Sequence, residues 1–160
     1  NMLFKKEGMS AEEIVNTYTK DELERIFKDY GEEKKARKIA EAILKARKEK
    51  PIKTTFELRN VLAQNYHALP RIFQALRIEA NKELENLRKT LPQALKVLKS
   101  GGRLLVISFH SGEDRIVKQF IKENKDKIEP LNKKPIVPEM EEIKQNPRSR
   151  SAKLRILIKK

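Results

Sequence analysis

The sequence predicts an α/β protein in which a helical first half precedes part of an open sheet. Three observations lead to this prediction. The first ninety or so residues carry repeated helix-start signals and apolar residues at helical spacing. After Gly101-Gly102 the pattern changes to a nearly continuous apolar run of strand length, at 103–109. A second apolar run, at about 153–159, predicts a final strand.

Hydroxyl side chains mark the starts of three helices. Ser10, Thr19 and Thr54 are each followed three residues later by Glu, which is the spacing of a capping box. Gly31 is placed to end the second of these helices. Another helix, predicted from about residue 32 until Pro51, has an apolar stripe on one face. Its opposite face is basic, with Lys34, Lys35, Arg37, Lys38, Lys45, Arg47 and Lys48.

A long helix is predicted to begin near Pro70 and to continue through Leu87. Pro92 is predicted in the first turn of a separate short helix after Thr90, because an interior proline costs about 3 kcal/mol. The long helix repeats polar side chains on one face, which is either an RNA-contacting face or a solvated one. These side chains are Arg71, Gln74 and Arg77.

The run at 103–109 is predicted to be a parallel strand that is central in its sheet and buried on both faces. Leu105 and Ile107 are therefore expected in the core. Ser111 is predicted to cap the next helix, with Asp114 completing a capping box. Four prolines then interrupt the chain before the terminal strand at 153–159, which is expected at the edge of the sheet beside the first strand.

Composition limits the classes of function. The 160 residues include 37 Lys and Arg against 23 Asp and Glu, a net charge of +14 that favours an anionic partner such as nucleic acid. The absence of cysteine excludes disulfides and thiolate metal sites, and no metal site is predicted. No apolar run approaches the length of a membrane span, and the first residues lack a signal peptide, so a cytoplasmic protein is expected.

The strongest candidate site follows the first strand. Ligands of open parallel sheets bind at the carboxyl ends of the strands, where Ser108, His110 and Ser111 are predicted to lie. We interpret these three residues as candidate catalytic residues. The alternative for His110 is a histidine that is hydrogen-bonded within a loop.

The closing segment is the second candidate site. Residues 144–160 contain seven Lys or Arg and no Asp or Glu, and these cations flank a predicted strand. Phosphate binding by counterion release, and hence RNA, is the predicted role, and a solvated basic tail is the alternative. The predicted phosphate-binding residues are Arg115, Lys118, Arg148, Arg150, Lys153 and Arg155.

These segments resemble a known family, the small-subunit ribosomal RNA methyltransferase H or MraW family. The resemblance covers nearly the whole chain and is carried most specifically by Phe73-Gln74-Ala75-Leu76-Arg77-Ile78, by Ser108-Phe109-His110-Ser111 with Glu113-Asp114-Arg115, and by Asn146-Pro147-Arg148 with Ser151-Ala152-Lys153. Gly112 stands where the family usually has leucine.

The resemblance implies an S-adenosylmethionine-dependent enzyme that methylates N4 of a cytidine in small-subunit ribosomal RNA. It also implies the parts of the fold: the end of a cofactor domain at 1–7, a helical substrate-recognition domain at 8–85, and the C-terminal part of a class I methyltransferase-like (Rossmann-like) sheet at 86–160. No cofactor-binding residue of the family matches this chain. The expected partners are therefore ribosomal RNA and either a complementary cofactor half or a second copy of the chain.

Two other hypotheses stay open from the sequence. The chain is alternatively a non-enzymatic RNA-binding remnant of the family, or a helical interaction protein with solvated charges. Binding of S-adenosylmethionine distinguishes a self-sufficient enzyme from a remnant.

Overall fold

The computed structural model describes residues 8–160, which form two compact units. The first ends at Glu83 and the second spans Leu84–Lys160. The segment 1–7, expected to end a cofactor domain, lies outside the described residues, and the functional assignments of 8–85 and 86–160 stay predictions. No helix within the described part of the chain combines the length and apolar character needed to cross a membrane.

The first unit is helical. Capping boxes at Ser10, Thr19 and Thr54 are all confirmed, and each N-cap side chain is worth about 1 kcal/mol. The helices are α1 (Ala11–Thr17), α2 (Lys20–Asp29), α3 (Ala36–Glu49), α4 (Thr55–Val61) and α5 (Leu69–Asn81), with a 3₁₀ helix at Ala63–Ala68.

One apolar core holds these helices together. Its fully buried side chains include Phe27, Ile39, Ile43 and Ile72, so the apolar stripe predicted on α3 faces inward. The start of α3 at Ala36 is later than predicted, since Glu32 adopts a left-handed backbone conformation with φ 50° that cannot belong to a helix.

The predicted long helix is divided at a different place. Lys82, with φ 51°, ends α5 in a left-handed cap, and α6 then runs over Glu83–Val97 without a break at Thr90. The prediction that Pro92 begins a short helix is therefore wrong, because Pro92 lies inside α6. Pro92 is exposed, so water can solvate the carbonyl oxygen that proline leaves without a helical donor.

The second unit contains a three-stranded sheet. Its further elements are β1 (Arg103–Ser108), α7 (Ser111–Glu123), β2 (Ile128–Pro130), α8 (Met140–Gln145), a 3₁₀ helix at Pro147–Ser151, and β3 (Lys153–Lys159). The strand order is β1-β3-β2 and both pairings are antiparallel. Together with its helices the unit is of the α/β type, compatible with a methyltransferase-like fold.

The details of the predicted sheet are wrong in two respects. β1 is antiparallel to its neighbour rather than parallel, and β3 rather than β1 lies in the centre of the described sheet. An apolar run indicates a strand, but it carries no information on the partner with which that strand pairs or on the direction of the pairing. The order of elements predicts an edge strand at 153–159, yet β3 pairs with β1 on one side and with β2 on the other.

Burial along β1 alternates. Leu105 and Ile107 are each 58% exposed, so the prediction that they lie in the core is wrong. Leu104 and Val106 are half-buried and Ser108 is buried, because successive side chains of a strand point to opposite faces. Within the described residues, one face of β1 is therefore covered and the other presents large apolar side chains.

Candidate functional site

The site after β1 is organised by His110. His110, not Ser111, is the N-cap of α7, and the backbone N–H of Glu113 donates to His110 Nδ1 at 3.4 Å. In return, Glu113 Oε2 accepts hydrogen bonds from the N–H groups of Phe109 (2.7 Å) and His110 (3.3 Å).

The predicted capping box at this helix is therefore present with different members. Ser111 is the exposed first residue of α7, and Asp114 is buried and makes other contacts. Histidine is an uncommon N-cap, which is why the sequence favoured the neighbouring serine. Ser108, the last residue of β1, is 1% exposed. The three candidate catalytic residues lie within four positions of one another, but only Ser111 is exposed.

The contacts of His110 fix its hydrogen-bonding character. Because Nδ1 accepts from a backbone N–H, the neutral ring carries its proton on Nε2. Nε2 is buried, has no hydrogen-bond partner among the described residues, and lies 3.6 Å from Glu113 Oε1, which is beyond hydrogen-bonding distance. A neutral His110 therefore presents one unsatisfied donor, at Nε2.

Gly112 provides space for this ring. A Cβ atom built at Gly112 would lie 3.1 Å from His110 Nδ1 and 3.2 Å from its Cε1. Contacts this short require the ring to shift. The glycine at this position, where the resembled family usually has leucine, therefore accommodates the capping orientation of His110 directly.

A buried ion pair ties α7 to β3. Arg155 Nε donates to Asp114 Oδ1 at 2.7 Å, and the two side chains are 11% and 7% exposed. Burial would raise the pKa of Asp114, but the hydrogen bonds and charge of Arg155, with the charge of Lys118, hold that pKa below its ordinary value. Arg155 was predicted to bind phosphate, and its guanidinium is instead engaged inside the protein.

Antiparallel pairing brings the basic closing segment to the same end of the sheet as His110. Ser108 is the cross-strand partner of Lys153, so β3 begins where β1 ends. Arg148 and Arg150 lie in the 3₁₀ helix immediately before β3, and both are exposed. The candidate site at His110 and the basic closing segment therefore lie at one end of the sheet and form a single candidate site.

Two further predicted cations lie on α7. Lys118 Nζ lies 3.5 Å from Asp114 Oδ2 while its side chain stays 56% exposed. Arg115 is also exposed, in the first turns of the helix. Both side chains are accessible to a ligand in the second unit.

The predicted polar face of α5 is occupied by contacts within the first unit. Arg71 Nη2 lies 2.6 Å from Glu33 Oε2, and Arg77 Nε lies 3.0 Å from Glu83 Oε1. Gln74 donates to the backbone oxygen of Tyr30 at 3.2 Å. The side chains of both arginines remain about half exposed, and phosphate contacts by Arg71 and Arg77 stay predictions.

Exposed aromatic rings are the feature that sequence reasoning missed. Phe56 is 59% exposed, Tyr66 61% and Phe109 53%. Arg59 lies over the Phe56 ring, 4.9 Å from its centroid. Exposed rings of this kind stack on nucleic-acid bases. No sequence signal distinguishes them from core aromatics, because Phe56 lies in an α4 too short to show a clear apolar period, and Tyr66 and Phe109 lie outside the α-helices.

The end of β1 does not fit S-adenosylmethionine, the cofactor that the family resemblance implies. A nucleoside at a strand end is held by a glycine-rich turn and a free carboxylate for the ribose. Here Glu113 is engaged by backbone N–H groups, and Asp114 by Arg155. Gly101-Gly102 precedes β1, at the opposite end of the strand. The residues at this end of β1 are therefore not those that would hold the cofactor.

Comparison with known proteins gives a consistent result. The model of the MraW methylase family matches residues 2–160. Relatives named ribosomal RNA small subunit methyltransferase H are 51% identical in Coprothermobacter proteolyticus, Persephonella marina and Leptospira interrogans, over 94%, 92% and 95% of this chain respectively. The matches cover 53%, 54% and 49% of those relatives. The chain thus spans about half the length of the curated relatives it matches.

Proposed function

Because the chain belongs to the MraW methylase family, we propose that it is the substrate-side portion of a small-subunit ribosomal RNA methyltransferase that modifies N4 of a cytosine. S-adenosylmethionine is the methyl donor in this proposal, and the cytoplasm is the compartment in which the enzyme meets its RNA. The observation that carries the proposal is the family match along residues 2–160, joined to a basic segment that shares one sheet end with His110.

The donor is held elsewhere in this proposal, by a complementary cofactor half. Two features of β1 favour such a partner. The free edge of β1 has unpaired backbone groups, since no other strand in 8–160 pairs there. The exposed apolar face of β1, with Leu105, Ile107 and Phe109, needs cover from water. A second copy of the chain could cover the same face of β1. Sedimentation of the chain alone and with the cofactor half distinguishes self-association from assembly with that half.

The residues of this chain position the RNA. The exocyclic amine of cytosine is a poor nucleophile, so its orientation toward the methyl group contributes much of the rate. In this proposal, RNA binding opens the buried Nε2–H of His110 to an acceptor on the base edge, and this contact orients the cytosine. Phosphates are bound by the exposed cations Arg115, Lys118, Arg148 and Arg150 and by the half-buried Lys153, which leaves Arg155 to its ion pair.

Reconstitution tests this function. The chain is combined with the preceding half of the Coprothermobacter proteolyticus relative, and transfer of radiolabelled methyl groups to small-subunit ribosomal RNA is measured in single turnovers. We expect N4-methylcytosine from the combination and no turnover from the chain alone. His110→Ala is expected to slow the combined enzyme by about 10²-fold, because loss of the orienting contact misplaces the cytosine amine. Leu105→Lys is the control for docking, since it should prevent assembly without unfolding the chain.

Two results would contradict the proposal. Turnover by the 160-residue chain alone would show that its residues hold the donor after all. A combined enzyme with a normal single-turnover rate after His110→Ala, but with lower thermal stability, would limit His110 to capping α7.

A non-enzymatic RNA-binding protein is the second candidate, favoured by the poor fit of the β1 end to the donor. Methyl transfer by the assembled pair separates the candidates, because the added half supplies the donor site in either case. Transfer to the RNA supports the enzyme, and RNA binding without transfer supports the remnant.

A further inference from the structure

The basic face of α3 forms a continuous stripe of lysines. Lys38, Lys45 and Lys48 are separated by seven and three residues, so at 100° per residue they lie within an arc of roughly 80°. All three are exposed. Along the helix axis they span about 15 Å, at 1.5 Å per residue. We call these three residues the α3 lysine stripe.

The stripe is not used by the protein itself. Neighbouring cations have internal partners: Arg37 pairs with Glu41 at 3.3 Å, and Arg47 donates to the backbone oxygen of Val15 at 2.8 Å. In contrast, the α3 lysine stripe makes no ion pair within residues 8–160. Its three charges are available to a ligand.

The charge of the first unit is concentrated at this place. Residues 8–83 contain 16 Lys and Arg and 13 Asp and Glu, a net charge of +3. The segment 34–53 alone contains nine Lys and Arg and two Glu, a net charge of +7. The rest of the unit is therefore net negative by four charges. General basicity of the protein does not account for this separation.

The stripe is also rigid and polar. The apolar face of α3, with Ile39, Ala40 and Ile43 fully buried, fixes the helix in the core. No large apolar side chain of α3 is among the exposed ones, so the helix lacks the apolar face with which a surface helix enters a membrane. Fixed lysines without an apolar wedge suit a hydrated polyanion.

We propose that the α3 lysine stripe binds the phosphate backbone of RNA, as a contact surface separate from the closing basic segment. The inference rests on the proposed function only in taking ribosomal RNA as the polyanion. Each neutralised phosphate releases counterions, so the stripe contributes affinity that falls with salt and carries no sequence preference.

Substitution of the stripe tests the proposal. Binding of the 160-residue chain to a fluorescein-labelled fragment of small-subunit ribosomal RNA is measured by anisotropy across a salt series. The variant Lys38→Gln/Lys45→Gln/Lys48→Gln is expected to lower the log–log salt slope by about two to three units. The matched control removes the same charge from exposed lysines of the second unit: Lys122→Gln/Lys125→Gln/Lys133→Gln.

The possible outcomes separate this inference from the proposed function. A lower slope for the stripe variant and a smaller change for the control support the inference. Equal changes in both variants, or an unchanged slope in the stripe variant, overturn it while RNA binding itself stands. If the wild-type chain binds vesicles of phosphatidylglycerol through the stripe but not RNA, both proposals fail. Circular dichroism that matches the wild type shows that the stripe variant is folded.

Discussion

Replacement of Arg155 by methionine tests whether this residue belongs to the fold or to RNA binding. Arg155→Met keeps most of the side-chain volume and removes the partner of Asp114, whose carboxylate is 7% exposed. Loss of one member of a buried pair typically costs 3–5 kcal/mol. Here we expect about 3 kcal/mol, because Lys118 Nζ remains 3.5 Å from the carboxylate as a half-exposed partner.

Amide hydrogen exchange measures this effect locally. A loss of about 3 kcal/mol should accelerate exchange about 100-fold in β1 and β3, where exchange follows the opening free energy. Tyrosine fluorescence is an internal control for the first unit, since all three tyrosines lie there and the chain has no tryptophan. Asp114→Asn/Arg155→Met should recover part of the stability, because it leaves no unpaired buried charge.

The pH dependence has a definite sign. The pKa of Asp114 is lower in the folded protein than its ordinary value of 3.8. The Asp114–Arg155 pair therefore stabilises the fold fully at pH values above 3.8. This stabilisation is lost as the pH falls through the lower pKa that Asp114 has in the folded state. The stability of Arg155→Met should therefore decrease less than that of the wild type as the pH is lowered through this range. If Arg155→Met leaves amide exchange in β3 unchanged but weakens RNA binding, the structural role of Arg155 is refuted.

Three further substitutions have expected outcomes. Gly31→Ala should destabilise the first unit by about 1–3 kcal/mol in urea unfolding, since its Cβ would lie 2.7 Å and 2.8 Å from backbone oxygens; an unchanged midpoint would contradict the close packing. Asn16→Ala removes hydrogen bonds of 2.8 Å and 3.0 Å with the backbone of Ile52 and should lower the free energy of unfolding by about 1–3 kcal/mol. A decrease no larger than that caused by an alanine substitution at an exposed position would show that these hydrogen bonds do not stabilise the fold. Gly112→Leu should move the ring of His110, detected as a changed ¹³C–¹H spectrum of its Cε1 without loss of helix content, and an unchanged spectrum would contradict the contact.

Local rules predicted much of the first unit. The capping boxes at Ser10, Thr19 and Thr54 depend on residues three apart, and all three formed. The end of α5 at Lys82 was missed because a lysine gives no signal for a left-handed conformation. Propensity then placed the break at Pro92, where the chain instead continues as helix.

Long-range pairing limited the prediction of the second unit. Arg155 and Asp114 are 41 residues apart in sequence, so a basic run was the only visible property of Arg155. Similarly, the apolar residues on both faces of β1 are typical of a strand covered on two sides. Residues 8–160 cover one of these faces, and Leu105 and Ile107 lie on the other.

The antiparallel register of β1 and β3 makes the two candidate sites dependent on each other. Because Ser108 lies opposite Lys153, the chain leaves β1 toward His110 at the point where it enters β3 from Arg150. A shift of one residue would turn Arg155 to the other face of the sheet and break its pair with Asp114. The ion pair therefore stabilises this register, and the register keeps the cations of the closing segment beside the capped end of α7. In the proposed function, Arg155 therefore supports phosphate binding by those cations through the fold and not through a contact of its own.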